Sequence, residues 1–401
     1  MKMFLKVLMI VALTVPSTLC LAGNNPSRPP DTPIYVLTND DGILHNYVSF
    51  YLAGGTQGAP TLTYQNAVNT QGKGIGGGFF AAPRVNLLPD ASAQCVYASN
   101  ATTGDISGVN IQTQTLAGVF PASGTDVGDA NGIGLVLNAN YLYAGYSTSN
   151  TIATFSILPG CQLSFISDVA AAGLNGGSPS GMALHGNILV VAYADGSVES
   201  FNIAGGVAVS NGDAQNSAGF ANAYFPEGVD ITQDGHFAIF GDASVPTTVE
   251  VSDISSGKLK PAVMYTVGTA TNAVGSGLNS ASVRLSPDES LLYVTNNTGG
   301  TVSAAFFDKR TGRVTRGCTS STLRFFYDPW GFVGSIATRD PTGTGGVLYV
   351  AEFGFTSSYI AFLQVQSDGL TCALSEASNS PVLDQLSGGL LSIQVFPPRP
   401  F

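Results

Sequence analysis

From Leu291 to Asp308 the chain reads LLYVTNNTGGTVSAAFFD: an apolar run, a polar turn with two glycines, then a second run of alternating character. This is the pattern of a β-hairpin. It returns as IYVLTNDDGILHNYVSFYLA from Ile34, CVYASNATTGDISGVNI from Cys95 and YLYAGYSTSNTIATFSI from Tyr141. Further copies are ILVVAYADGSVESFNI from Ile188, FAIFGDASVPTTVEVSDI from Phe237 and VLYVAEFGFTSSYIAFLQV from Val347. Anchored on the second strand residue (Tyr35, Val96, Leu142, Leu189, Ala238, Leu292 and Leu348), the copies are spaced by 61, 46, 47, 49, 54 and 56 residues. A strand-rich unit repeating near fifty residues predicts blades arranged around an axis.

Each hairpin has more around it. Upstream lie short runs that end in turns, PRVNLLPDASAQ, EGVDITQDGH and SVRLSPDES; downstream lie GCQLSFISDV, GKLKPAVMYTV, GRVTRGC and GLTCALSEA. Four strands, A to D, therefore make one unit, with Pro, Asp and Gly supplying the turns. Helical periodicity is nearly absent. The fold class predicted is all-β: a seven-bladed β-propeller of four-stranded antiparallel blades, occupying residues 33–401 as a single domain. Blade one has no A strand ahead of its hairpin, so GGLLSIQVFPPRPF at the C-terminus is expected to supply it and close the ring, which also hides sheet edges.

Composition adds compartment and excludes partners. The chain has 401 residues, a net charge of -11 and 10% charged residues, with its 15 basic residues scattered. No basic stripe for nucleic acid is present. The opening MKMFLKVLMIVALTVPSTLCLAGNN has Lys2 and Lys6, an apolar stretch broken by Pro16, and Ala22 at a cleavage point, so residues 1–22 read as a signal peptide. Residues 23–32 are expected to be a disordered linker and the mature protein to be secreted, extracellular or periplasmic. The alternative is an uncleaved anchor; no other segment is apolar enough to span a bilayer. Four cysteines then remain, an even number that suits two disulfides in an exported chain, free buried thiols being the alternative. Cys95 and Cys161 belong to neighbouring units, as do Cys318 and Cys372, and these are the expected pairs. Asn100 and Asn296 stand in glycan-acceptor triplets. No metal or other cofactor is expected, and the chain is expected to be a monomer.

SVRLSPDESLLYVTNNTGGTVSAAFFDKRTGRV resembles the repeat of the seven-bladed lactonase family, the 6-phosphogluconolactonase-like and carboxymuconate-cyclase-like propellers. The tetrapeptide YVTN, Tyr293 to Asn296, is that wider group's hallmark and recurs loosely at Tyr35 and Tyr349. The resemblance implies Arg, His and Glu side chains at the mouth of the central channel, where A strands start and B strands end. Lactone hydrolysis needs a base for water and a cation or N–H donors for the carbonyl oxygen. Glu227 and Arg84, each after a proline, begin A strands; Arg284 lies three residues before the turn proline of its unit. These three are the catalytic candidates, with Glu227 as base. Asp230 is equivalent to Arg284 on the neighbouring inner strand and is read as a salt-bridge partner or ligand-binding residue. Glu352, His45 and Trp330 are further ligand-binding candidates, Trp330 with blade packing as its alternative. His185 and His236 fall at A-to-B turns on the opposite face. QGKGIGGGFF, Gln71 to Phe80, lacks the Ser or Thr and the helix that a phosphate loop requires. The competing reading is a propeller that binds a glycan, a small ligand or a protein without turnover.

Overall fold

In the computed structural model, residues 33–56, 59–75, 85–87, 94–122, 132–222, 226–242, 247–268, 282–296, 299–324, 332–338, 345–353, 357–386 and 392–396 are described. They form seven antiparallel sheets. In blades two to seven the four strands follow one another in sequence. The inner A strands of blades two to seven are Val85–Leu87, Ile133–Leu137, Pro179–His185, Pro226–Ile231, Val283–Leu285 and Phe332–Thr338. The inner strand of blade one is Ser392–Phe396 from the other end of the chain, paired antiparallel to Ile34–Asn39 with Val36 opposite Val395 and Leu37 opposite Gln394. The C-terminal strand thus closes the ring. Blades four and seven each add a short fifth strand, Gln215–Asn216 and Val382–Leu383, beside their C strands.

Side chains alternate along a strand, so each sheet offers one face to each neighbour. Seven apolar clusters follow, one per seam. Leu37, Val48 and Phe50 of blade one meet Val96, Ala98 and Val109 of blade two. Tyr293 and Val302 of blade six meet Leu348 and Val350 of blade seven. Tyr349 and Phe362 of blade seven meet Val36 and Tyr51 of blade one. The other four seams repeat this pattern. A fully buried Tyr, Phe or Leu stabilises by about 1.5–3 kcal/mol, so the ring is held by many seams of moderate strength rather than by one core.

Two disulfides bridge neighbouring blades. Cys95, which begins strand B of blade two, joins Cys161 in the C-to-D turn of blade three, with Cα atoms 5.4 Å apart. Cys318 in strand D of blade six joins Cys372 in strand D of blade seven, 5.6 Å apart. The lower turns carry packing. Gly235, in the A-to-B turn of blade five, has φ +69°, and a Cβ there would lie 2.5 Å from the ring of His185 on blade four. His236 in the same turn is exposed and lies 3.2 Å from Asp234. Among the described residues no helix is long and apolar enough to cross a membrane.

Candidate functional site

Register fixes which side chains share a height in the channel. Tyr293 of the YVTN segment is opposite Arg284 on the inner strand. The equivalent inner residue on blade five is Asp230, opposite Ile239. On the remaining blades it is Phe396, Asn86, Val136, Ala183 and Ala337. One Asp and one Arg therefore occupy equivalent positions on neighbouring inner strands, at a level that is otherwise mostly apolar.

The Asp230 carboxyl is engaged by backbone amides of both inner strands. Its Oδ1 accepts from the Ile231 amide at 2.9 Å and its Oδ2 from the Leu285 amide at 2.8 Å. It staples the inner strand of blade five to that of blade six at the residue after Arg284. That role was not legible as anything but charge complementarity. Glu227 lies above, in the irregular stretch between Pro226, opposite Asp242, and Val229, opposite Phe240. Three residues of strand set it about 10 Å above Asp230. Its side chain lies outside the described residues, as do Arg84 and Trp330 altogether.

Three residues beyond the Tyr293 level, at or one residue before the end of each B strand, stands a residue on the face toward the preceding blade. These are Thr38, Asn100, Tyr146, Tyr193, Asp242, Asn296 and Glu352. Asn100 and Asn296, the glycan-acceptor asparagines, are 0% and 5% exposed. Asn100 accepts from Asn46 at 2.8 Å and donates to Asp105 and Ser107. Asn296 accepts from Thr247 and donates to Thr301. Folded this way, neither presents an amide to a glycan-transferring enzyme.

The carboxyls at this rim are buried. Asp242 accepts from Thr248 at 3.1 Å. Burial, reinforced by Glu250 beside it, pushes its carboxyl up to about 8. Glu250 itself accepts from the Ala218 and Gly219 amides, where the chain leaves blade four. Asp40 accepts from Thr38 at 2.9 Å and Ser49 at 2.7 Å. It lies near Asp384, which accepts from the Tyr51 hydroxyl at 2.5 Å across the closing seam. Burial, then the charge of Asp384, holds Asp40 well above the carboxylate range. Burial raises Asp384 to about 6. Glu352 is 4% exposed, and burial followed by the charge of Glu376 pushes it up to about 8. It was expected at the open mouth; it points instead into the seam between blades six and seven.

By contrast Asp195, in the B-to-C turn of blade four, is a turn former. Partial burial raises its carboxyl, but bonds from Ser197 and the Asn175, Ser197 and Gly177 amides outweigh that and hold it below the usual range. His45 is exposed in the B-to-C loop of blade one, beside exposed Ile43 and Leu44. Lys73 ties the neighbouring loop through its backbone, its carbonyl accepting from the Thr102 amide and its amide donating to the Thr103 hydroxyl. Among the described residues no group of His, Cys, Asp and Glu is arranged to hold a metal ion. Sequence reasoning missed Asp384 and Glu250. Asp384 lies in an irregular segment with no repeat to align; Glu250, an acid at an inward position of the alternating strand TVEVSD, was readable.

No protein-family model matches the sequence, and no curated protein does. Solved structures share the architecture. A candidate 6-phosphogluconolactonase from Bacteroides fragilis is 15% identical, with a TM-score of 0.65 over 91% of this chain and 98% of its own. One from Bacteroides uniformis is 13% identical, with a TM-score of 0.65 over 90% and 99%. The periplasmic gluconolactonase of Pseudomonas aeruginosa is 14% identical, with a TM-score of 0.54 over 72% and 82%. At this identity the likeness establishes a shared seven-bladed β-propeller architecture, with proteins described as lactonases among those that share it.

Proposed function

We propose that this chain is an exported lactonase-type hydrolase that opens a small cyclic ester at the upper mouth of its channel. The observation that carries the reading is that Arg284 and Asp230 occupy equivalent register positions on adjacent inner strands, with Glu227 three residues earlier on the same strand as Asp230. In this scheme Glu227 takes a proton from water as the water oxygen bonds to the ester carbonyl carbon. Arg284, with Arg84, stabilises the negative charge that forms on the carbonyl oxygen. The ring C–O bond then breaks, and the leaving oxygen takes the proton back from Glu227, giving a hydroxy acid. Asp230 holds the two inner strands in register through its bonds to the Ile231 and Leu285 amides. Export is supported by the signal-like first 22 residues and by two disulfides.

A lactone panel followed by proton release at constant pH tests this. Purified wild type should exceed the spontaneous rate on at least one lactone. Glu227→Gln and Arg284→Ala, folded by circular dichroism, should lose about a hundredfold or more. Unaltered turnover in both variants would refute the assignment. The second reading, binding without turnover, is favoured by the apolar channel positions Val136, Ala183 and Phe396. It predicts saturable binding with no proton release.

A further inference from the structure

Side chains on three inner strands reach across to a backbone group of the next inner strand around the ring. The Ser392 hydroxyl of blade one accepts from the Val85 amide of blade two at 3.2 Å. The Ser180 hydroxyl of blade four donates to the Pro226 carbonyl of blade five at 3.1 Å. The Asp230 carboxyl of blade five accepts from the Leu285 amide of blade six at 2.8 Å. Ser392 and Ser180 are buried.

The three gripped groups share one property, their neighbour in sequence. The Val85 nitrogen belongs to the peptide that joins it to Arg84, and the Pro226 carbonyl to the peptide that joins it to Glu227. The Leu285 nitrogen belongs to the peptide that joins it to Arg284. Each catalytic candidate is thus attached to a peptide held from the preceding blade. The blade repeat does not produce such a link by default: on blades one, three, four and seven the position of Asp230 is taken by Phe396, Val136, Ala183 and Ala337, whose side chains have no polar atom.

The backbone at Glu227 has the greatest need of a hold. The inner strand of blade five shifts register between Pro226 and Val229, so Glu227 and Gly228 together oppose Gly241. A bulge of this kind interrupts the ladder and leaves a residue unpaired. Blade four shifts register between Pro179 and Gly181, and Ser180 is its extra residue. Pro179 is opposite Tyr193 and Pro226 opposite Asp242, the equivalent rim residues of the two blades. Two bulges at one level therefore set a hydroxyl donor on one strand against the peptide of the proposed base on the next.

We propose that Ser392, Ser180 and Asp230 are positioning residues, one each for Arg84, Glu227 and Arg284. They act through the backbone: each fixes the peptide plane next to a catalytic side chain. Rotation of that plane moves the side chain it carries, and a misplacement of about 1 Å at a reacting group costs up to about a hundredfold in rate. The three clamps stand on their hydrogen bonds; their part in catalysis rests on the hydrolase proposed for this chain.

Ser180→Ala and Ser392→Ala in the full chain test this, with Ser200→Ala as control. Ser200 is equally buried, and its hydroxyl donates to Asp213 from strand C of blade four. On a lactone that wild type opens, kcat should be about tenfold lower in Ser180→Ala and Ser392→Ala, with KM within about twofold and Ser200→Ala unchanged. Hydrogen exchange followed by mass spectrometry needs no turnover. Val85–Leu87 should exchange about tenfold faster in Ser392→Ala, and Pro226–Ile231 in Ser180→Ala, with neither faster in Ser200→Ala. A wild-type kcat in both folded variants, whatever their Tm, overturns the positioning roles; with turnover still lost in Glu227→Gln, the hydrolase stands. Faster exchange at both segments, without lactone turnover by wild type, removes the hydrolase and leaves the clamps. Unchanged exchange at both segments removes the clamps. Should one variant fail to fold, the other decides.

Discussion

Glu352→Gln should change how stability depends on pH, and the structure sets the size. In the folded chain burial, then Glu376, raises the Glu352 carboxyl from 4.5 to about 8. Between those values the native state keeps a proton that the unfolded chain has released. The unfolded state therefore binds fewer protons, and stability falls as pH rises through this window. Stability linked to this group is fully present below about pH 4.5 and is lost by about pH 8. At about 1.4 kcal/mol per pH unit, the interval from pH 5 to pH 8 removes about 4 kcal/mol. The side chain is 4% exposed, so no discount for solvent screening applies. A ring of this size unfolds with an entropy of about 0.8 kcal/mol per kelvin, so the loss amounts to about 5 °C in Tm. The amide that replaces the carboxyl in Glu352→Gln does not titrate. Scanning calorimetry of both proteins from pH 5 to pH 9 should show the variant gaining about 5 °C on wild type across the interval. Asp40, Asp242 and Asp384 titrate in both proteins and cancel in the difference. Parallel Tm curves would refute the reasoning, because Glu352 would then be neither buried nor neutral as described.

Other outcomes follow from the same structure. Ile393→Ala removes a fully buried side chain from the closing strand and should cost about 2–5 kcal/mol in denaturant unfolding. Asp230→Ala leaves the Ile231 and Leu285 amides without their acceptor and should cost about 1–3 kcal/mol, whereas an exposed rim substitution such as His45→Ala should be neutral. Reducing the disulfides frees loops of 66 and 54 residues and should destabilise by about 4 kcal/mol each in the chain-entropy model, read as a lowered Tm under reductant.

The sequence carried the ring because blades are made of what sequence patterns report well: alternation, turn chemistry and a repeat period. The absent first inner strand pointed directly to the C-terminal run. The site was less legible, for a geometric reason. Whether a rim residue faces the channel, a seam or solvent depends on strand parity measured from the tyrosine level, and one residue of error exchanges two seams. Asp230 was visible as a charge next to Arg284, but its bonds to two backbone amides were not. Glu352 was located at the end of its strand, while its burial follows from the blade packed against it. Asp384 reaches Tyr51 from 333 residues away through a segment that belongs to no repeat.

Every residue placed at the channel mouth depends on Ser392–Phe396 being the inner strand of blade one. Hydrogen exchange followed by mass spectrometry on a chain lacking residues 388–401 addresses this directly. Loss of the strand should unprotect the amides of Ile34–Asn39 and weaken the seams on both sides of blade one, while Ile188–Tyr193 in blade four keeps its protection. Full protection of Ile34–Asn39 in the truncated protein would contradict the closure, and with it the ring that sets Arg284 and Asp230 at one level on neighbouring inner strands.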